Sequence, residues 1–187
     1  MAPSFAPDAL EFLSSKKNLR LLQVDMTLPV PAQQMYVSVN GGLLVQNQDI
    51  ETKTVTAEMC VTEAKPTPAQ LRDLDFAWHI VKHVKSNSIV VAKDGMTYGV
   101  GAGQMNRIGS AEIALKQASA TLGGNMEGLV LASDGFFPFD DCVALAAQYG
   151  IKAIVQPGGS IRDEDSVKKA DENGITMLMT GERHFKH

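Results

Sequence analysis

Charged and aromatic side chains that could hold a small molecule are concentrated in three segments near the C-terminus. They are "SDGFFPFDD" at 133–141, "PGGSIRDE" at 157–164 and "TGERHFKH" at 180–187. Each segment directly follows a short apolar run, and such a run predicts a buried strand. We therefore expect the functional residues to lie where these three strands end.

A fourth segment, "GVGAGQMNR" at 99–107, has glycine at alternate positions. It does not match the dinucleotide fingerprint, because Gln104 stands where the third glycine is required, and no Gly-Lys-Ser/Thr follows as in a P-loop. The glycines could bring the backbone close to a ligand whose oxygen is bound by the N-terminus of the following helix. They could equally allow tight packing of that helix. The sequence leaves both interpretations open.

The N-terminal third is predicted to consist of turns and short strands. The apolar, extended stretch "NLRLLQVD" at 18–25 predicts a strand, and "MYVSVNGGLLVQNQD" at 35–49 predicts a hairpin that turns at residues 40–42. Beyond Pro68, apolar residues recur at helical spacing and predict a helix that ends near residue 85, with Trp78 in the core.

The remaining pattern predicts a sheet with crossover helices. Two strands joined by a turn at 93–95 are predicted within 88–103, and a helix begins near Arg107. From residue 128, the strands "LVLAS", "KAIVQ" and "ITMLM" alternate with helices that end at Gly150 and Gly174. A βαβαβ series of this kind predicts parallel strands. Ligands collect at the carboxyl ends of such strands, which is where the three charged segments lie.

Composition restricts the class of protein. The chain has 187 residues, 44% hydrophobic and 20% charged, which predicts one globular domain over 1–187. A net charge of −4 with scattered lysines and arginines argues against a nucleic-acid partner. Cys60 and Cys142 lack the spacing of a zinc site or a disulfide framework. No apolar run has the length of a membrane span and no signal peptide is apparent, so we expect a cytoplasmic protein.

Three long stretches closely resemble the C-terminal part of AICAR transformylase, the formyl-transferring half of the bifunctional purine biosynthesis enzyme. They are "KSNSIVVAKDGMTYGVGAGQMNRIGSAEIALKQA", "SDGFFPFDDCVALAAQYGIKAIVQPGGSIRDE" and the terminal "TGERHFKH". The resemblance implies transfer of a formyl group from 10-formyltetrahydrofolate to the 5-amino group of AICAR, 5-aminoimidazole-4-carboxamide ribonucleotide. It also implies a cytidine deaminase-like α/β fold with three layers, α/β/α, and a mixed sheet. The family has two copies of this fold, and the chain resembles the second.

The resemblance implies roles for three residues around the AICAR base. Asn87, in the "SNS" stretch, is similar to a side chain that meets the formyl or carboxamide oxygen. Arg107, which follows the "GAGQ" stretch, is similar to a contact for the AICAR carboxamide and the folate. Phe136, in the "FFPF" stretch, is similar to a ring that packs on the base. Without the resemblance, Arg107 would be interpreted as a surface charge and the phenylalanines as core.

Three further residues receive roles from the same resemblance. Asp141 is similar to a carboxylate on the folate side, Arg183 to a group that grips the AICAR phosphate, and His187 to a partner of the catalytic lysine. From the residues alone, Asp141 is interpreted as a cap of the following helix, because aspartate and its charge suit a helix N-terminus. Arg183 and His187 would be surface groups near a chain end.

The family's catalytic Lys-His pair belongs to the first copy and has no counterpart here. We interpret Lys82-His83 as a solvated helix face, and the zinc pattern of cytidine deaminases is absent. The resemblance thus implies a half-site for AICAR and reduced folate, without a metal and inactive in isolation. The expected partner is a second copy of the chain, as a homodimer, or a partner chain whose Lys-His domain would complete the half-site. The alternative is a nucleotide- or folate-binding module without catalysis.

Overall fold

The computed structural model describes residues 1–28, 33–50 and 52–186. Contacts divide the chain into two compact units, Met1–Ile50 and Glu51–His187, and within each unit the residues contact mainly one another. The single domain expected over the whole chain stays a prediction.

The first unit contains one helix and one hairpin. Helix α1 (Pro7–Ser14) begins with a proline, whose fixed φ and missing N–H suit the first helical position. Strands β1 (Gln34–Val39) and β2 (Gly42–Asn47) pair antiparallel with Val39 opposite Gly42. Gly41, in the turn, has a φ of +80°, a conformation that glycine adopts without strain. The predicted hairpin is confirmed.

The strand predicted at 18–25 is wrong. Gln23 forms an isolated bridge with Ala2, and this is the only strand-like pairing in the segment. A strand needs a neighbour along its length to satisfy its backbone N–H and C=O groups, and an apolar run alone does not supply one. Helix α1 was not predicted, because the N-terminal third was assigned to turns and strands.

The second unit is an α/β sheet structure. Its helices are α2 (Pro68–Val81), α3 (Arg107–Thr121), α4 (Asp141–Gln148) and α5 (Asp163–Glu172), and its strands are β3 (Ile89–Lys93), β4 (Met96–Gly101), β5 (Val130–Ser133), β6 (Ala153–Gln156) and β7 (Thr176–Met179). The strand order is β4-β3-β5-β6-β7. Strand β3 is antiparallel to both its neighbours, whereas β5, β6 and β7 are parallel. The predicted βαβαβ series in a mixed sheet is confirmed.

Helices cover both faces of this sheet. Ile89 and Val91 of β3 pack into one buried cluster with α3 and α4, while Val90 and Ala92 pack into a second cluster with α2. Successive side chains of a strand point to opposite faces, so β3 is apolar on both faces from Ile89 to Ala92. The predicted three layers, α/β/α, are confirmed, and Trp78 is fully buried in the α2 layer as expected.

The alternate glycines serve helix packing. A Cβ atom at Gly99 would overlap the backbone carbonyl of Ala114, and one at Gly101 would overlap that of Ser110. Both glycines therefore let β4 lie directly against α3. Of the two interpretations of "GVGAGQMNR", tight packing of the helix is confirmed for Gly99 and Gly101, and close approach to a ligand stays a prediction.

Candidate functional site

Three strand ends and the C-terminal segment meet at one edge of the sheet. Because β3 is antiparallel to both β4 and β5, its first residue, Ile89, pairs with Gly101 and Ser133, the last residues of those strands. The residues before β3, the start of α3 and the loop after β5 therefore share this edge. This is the carboxyl end of β5, β6 and β7, where α/β sheets bind ligands.

A buried ion pair lies at the centre of this edge. Asp134, directly after β5, is completely buried and forms an ion pair with Arg107, the first residue of α3, which is 6% exposed. Nη1 of Arg107 also donates to the carbonyl of Ser88 at 3.2 Å and to Oγ of Ser133 at 3.1 Å. Buried charges are tolerated when they are paired and hydrogen-bonded in this way.

Two serines complete the surroundings of the Asp134 carboxylate. The backbone N–H of Ser88 donates to Oδ1 at 3.1 Å, and the hydroxyl of Ser86 donates to Oδ2. Together with Arg107, each carboxylate oxygen thus receives at least one hydrogen bond. The carboxylate is held in a fixed orientation between α3 and the residues that precede β3.

Asn87 connects the ion pair to the surface. Nη2 of Arg107 donates to Oδ1 of Asn87 at 2.9 Å, and Nδ2 of Asn87 donates to the carbonyl of Gln104 at 2.9 Å. The main-chain carbonyl of Asn87 accepts a hydrogen bond from the Ser110 hydroxyl at 2.6 Å. The orientation of the Asn87 amide is therefore fixed by its neighbours.

The C-terminal segment, residues 182–186, is bound to the same cluster. Ser86 N–H donates to the carbonyl of Lys186 at 2.8 Å, and Lys186 N–H donates to the Ser86 hydroxyl at 2.9 Å. His184 N–H donates to the carbonyl of Asp134 at 3.0 Å. The His184 side chain is buried, with its ring centroid 4.8 Å from that of Trp78. Phe185 lies between these anchors.

These groups surround a cavity of about 290 Å³. Its lining residues are Asn87, Met105, Asn106, Arg107, Phe136, Pro138 and Phe185. Asn87 and Arg107 form its polar wall, and Phe136 and Phe185 form its aromatic wall. This arrangement suits a small planar ligand with hydrogen-bonding groups at its edge. The structure therefore brings Asn87, Arg107 and Phe136 together at one cavity.

A second cavity, of about 460 Å³, lies on the other side of Phe136 and Pro138. The loop after β6 forms its opposite wall, and the lining residues there are Gly159, Ser160, Ile161 and Arg162. The Arg162 guanidinium lies 5.0 Å from the centroid of the Phe139 ring, the distance of a cation–π contact. Two of the three segments singled out in the sequence thus meet here.

Two further predicted site residues, Asp141 and Arg183, lie away from these cavities. Asp141 lines neither cavity; it is the first residue of α4, and its Oδ1 accepts from Cys142 N–H at 2.7 Å. Arg183 is exposed, with its guanidinium 5.3 Å from the centroid of the Phe185 ring, and it also lines neither cavity. His187 lies outside the described residues. The roles expected for these three residues stay predictions.

The interpretation of Lys82-His83 as a solvated helix face is wrong for Lys82. Lys82 is 8% exposed, and its Nζ donates to Oγ1 of Thr52 at 2.8 Å. Lys82 directly follows the last residue of α2. His83 is exposed.

Asp134 and Ser86 were not selected from the sequence. Both belong to quoted segments, and an aspartate directly after a buried strand stands where parallel sheets place ligand-binding groups. The signal that could have found Asp134 is its pairing with an arginine at a helix start. That pairing spans 27 residues and depends on the antiparallel order of β3 and β5.

Within the ranges 1–28, 33–50 and 52–186, no group of three or more His, Cys, Asp or Glu side chains could hold a metal ion. Over the same part of the chain, no helix combines the length and the apolar character needed to cross a membrane. The absence of a metal from the reaction stays a prediction.

Comparison with known proteins gives the family. The family model described as AICARFT/IMPCHase bienzyme matches residues 1–117. The chain belongs to this family. Bifunctional purine biosynthesis protein PurH of Anoxybacillus flavithermus is 58% identical over all 187 residues, as is the PurH protein of Bacillus cytotoxicus. The chain spans 36% of the length of each of these relatives, so it corresponds to about a third of the AICARFT/IMPCHase bienzyme.

Two solved structures of deaminases overlap with part of the fold of this AICARFT/IMPCHase family member. The apo dCMP deaminase of cyanophage S-TIM5 matches with a TM-score of 0.41 and 17% identity, over 60% of this chain and 98% of that one. A bifunctional diaminohydroxyphosphoribosylaminopyrimidine deaminase and 5-amino-6-(5-phosphoribosylamino)uracil reductase of Thermotoga maritima matches with a TM-score of 0.39 and 24% identity, over 59% of this chain and 35% of that one. Scores of this size carry no conclusion about the site.

Proposed function

We propose that this chain forms part of an AICAR formyltransferase site, in which a formyl group passes from 10-formyltetrahydrofolate to the 5-amino group of AICAR. The observation that carries the proposal is the cavity in which Asn87, Arg107 and Phe136 come together. These are three residues to which the resemblance gives roles around the AICAR base. Membership of a purine biosynthesis family supports the same assignment.

The chemistry of the cavity fits the base of AICAR. Phe136 and Phe185 can pack on a planar imidazole ring, while the amide of Asn87 and the guanidinium of Arg107 can bind a carboxamide at its edge. We propose that the second cavity, which shares Phe136 and Pro138, accepts the folate, so that the two substrates meet across this wall. Such alignment of two reactants lowers the activation free energy by several kcal/mol in reactions of this type.

The proposed site is a half-site. Formyl transfer also requires a proton acceptor for the amine and a group that stabilises the tetrahedral oxyanion. Asn87 is a neutral candidate for the oxyanion, and we assign the proton acceptor to a Lys-His pair outside this chain. A second copy of the longer protein, or a partner chain with the Lys-His domain, would supply it.

Calorimetry with AICAR tests the binding part of the proposal. We expect wild type to bind AICAR and Asn87→Ala to bind it about tenfold less tightly, since one hydrogen bond to a polar ligand group is lost. Lys116→Ala is the matched control, because Lys116 is 67% exposed on α3 and lines neither cavity. Equal affinity of wild type and Asn87→Ala would contradict the proposal.

A reconstitution experiment tests the catalytic part. The 187-residue chain is mixed with the remaining part of a PurH relative, and formation of the formylated nucleotide is followed with 10-formyltetrahydrofolate. We expect turnover in the mixture and none from either part alone. Turnover by this chain alone would contradict the half-site, and AICAR binding without turnover in the mixture would favour the binding module that lacks catalysis.

A further inference from the structure

We propose that Asp134 is a positioning residue for the first cavity, the one lined by Asn87, Arg107 and Phe136. Asp134 holds the Arg107 guanidinium and the C-terminal segment 182–186 in the places where they form the walls of this cavity. The identity of the ligand rests on the proposed function. The positioning itself rests on contacts between described residues.

Asp134 fixes the polar wall through Arg107. Apart from Asp134, the guanidinium donates to neutral acceptors: the carbonyl of Ser88, Oγ of Ser133 and Oδ1 of Asn87. A buried guanidinium with neutral acceptors alone would move toward solvent, because charge is poorly tolerated at 6% exposure. The orientation of Nη2 of Arg107 therefore depends on the Asp134 charge. The orientation of the Asn87 amide, which accepts a hydrogen bond from Nη2, depends on it too.

Asp134 fixes the aromatic wall through Ser86. The Ser86 hydroxyl has one proton, which it donates to Asp134, so its lone pairs face the N–H of Lys186 at 2.9 Å. The main-chain carbonyl of Asp134 accepts from His184 N–H at 3.0 Å. Phe185, between these two anchors, is held at the cavity.

Both walls meet over Gly135, the residue after Asp134. A Cβ atom there would lie 2.7 Å from Cε1 of Phe185 and would overlap Nη2 of Arg107. Arg107 and Phe185 therefore converge on the backbone next to Asp134. A change at Asp134 is expected to move both together.

The test compares Asp134→Asn with Asp73→Asn in the 187-residue chain. Asparagine keeps the shape of aspartate and removes its charge. Asp73 is the matched control: it is buried at 7% exposure on α2, its Oδ1 accepts from Gly95 N–H at 3.1 Å, and it lines neither cavity. Three quantities are measured on each variant: the AICAR dissociation constant, the amide exchange of His184 and Lys186 without ligand, and the ¹⁵N signals of the Arg107 guanidinium.

For Asp134→Asn we expect a dissociation constant raised by about tenfold or more, because a misplaced contact group loses most of its binding. We also expect faster exchange of the Lys186 amide by about tenfold or more, and merging of the separate Nη1 and Nη2 signals as the guanidinium rotates freely; the His184 amide, bound to the main-chain carbonyl of residue 134, serves as the internal reference. Asp73→Asn should leave all three within about twofold of wild type, since it changes neither wall.

A folded Asp134→Asn variant with wild-type amide exchange and separate Nη signals would overturn the proposal. If Asp134→Asn does not fold, Asp134→Glu takes its place, because it keeps the charge but moves it by one methylene; faster Lys186 exchange with merged Nη signals is the expected result, and wild-type values are the contrary one. If wild type does not bind AICAR, the proposed function fails, while the exchange and Nη measurements, made without ligand, still decide the positioning.

Discussion

Gly99 and the carbonyl of Ala114 are so close that a Cβ atom on Gly99 would overlap that carbonyl. Strand β4 and helix α3 therefore touch backbone to backbone, and neither can move away without opening the cluster that α3 shares with β3. The overlapping atoms belong to the main chain, so no side-chain rotation relieves them.

Gly99→Ala is expected to lower the free energy of unfolding by about 2–3 kcal/mol, the cost typical of overpacking a close-packed site. Urea unfolding followed by circular dichroism measures it. Thr97→Ala, at an exposed position of the same strand, is the control and should cost less than about 1 kcal/mol. Equal unfolding midpoints for the two variants would contradict the packing account.

The Arg107–Asp134 pair should behave as a coupled unit. Arg107→Met and Asp134→Leu are each expected to cost about 3–5 kcal/mol, because each leaves one buried charge without its partner. The double variant should cost clearly less than the sum of the two. A double-mutant cycle from urea unfolding gives the coupling energy, and an additive result would show that the two charges are independently solvated.

The two cysteines should differ in reactivity. Burial raises the pKa of the Cys142 thiol, and the neighbouring Asp141 carboxylate raises it further. The thiolate is the reactive form, so Cys142 should resist iodoacetamide in the native chain at pH 8, whereas half-buried Cys60 should react. Mass spectrometry of the modified peptides measures both. Equal labelling of the two in folded protein would contradict this prediction.

The same pKa shift gives a pH dependence of stability. A thiol whose folded pKa lies above its ordinary value of 9.0 keeps its proton more tightly in the folded state. Its contribution to stability is therefore complete below pH 9.0 and is lost as the pH rises further. We expect Cys142→Ala to lose less stability than wild type between pH 8 and pH 10.5, as measured by urea unfolding at each pH.

Helix α2 should depend on its cap. The Thr67 hydroxyl accepts from Gln70 N–H at 3.2 Å, and the Gln70 side chain accepts from Thr67 N–H at 2.9 Å, which makes a complete capping box. Thr67→Ala is expected to cost about 1 kcal/mol of unfolding free energy, and Thr67→Ser much less. Thermal unfolding of the two variants provides the comparison, and equal losses would contradict the role of the hydroxyl.

Much of the fold follows from local pattern. The apolar runs of β5, β6 and β7, with glycine after each intervening helix, are sufficient to predict parallel strands, and the turn before Met96 predicts the β3–β4 pair. The strand expected around Gln23 failed because pairing depends on a neighbour that local pattern does not reveal. The solvated interpretation of Lys82 failed for the same reason, since its hydrogen-bond partner Thr52 lies 30 residues away along the chain.

The site was predictable only in part. A resemblance to a family brought Asn87, Arg107 and Phe136 forward, and the structure places them at one cavity. Asp134 was overlooked because its importance comes from partners at Ser86 and Arg107, which the sheet order brings together. Residues that hold other residues in place leave little trace in sequence spacing.

The neutralisation of Arg107 by Asp134 also has a consequence for ionic strength. The polar wall of the cavity offers directed hydrogen bonds but no net charge, and buried pairs are screened little by salt. A ligand without a phosphate should therefore bind this wall equally well in dilute and concentrated salt. Any weakening of nucleotide binding as salt is added would then measure the contribution of exposed cations, separately from recognition of the base.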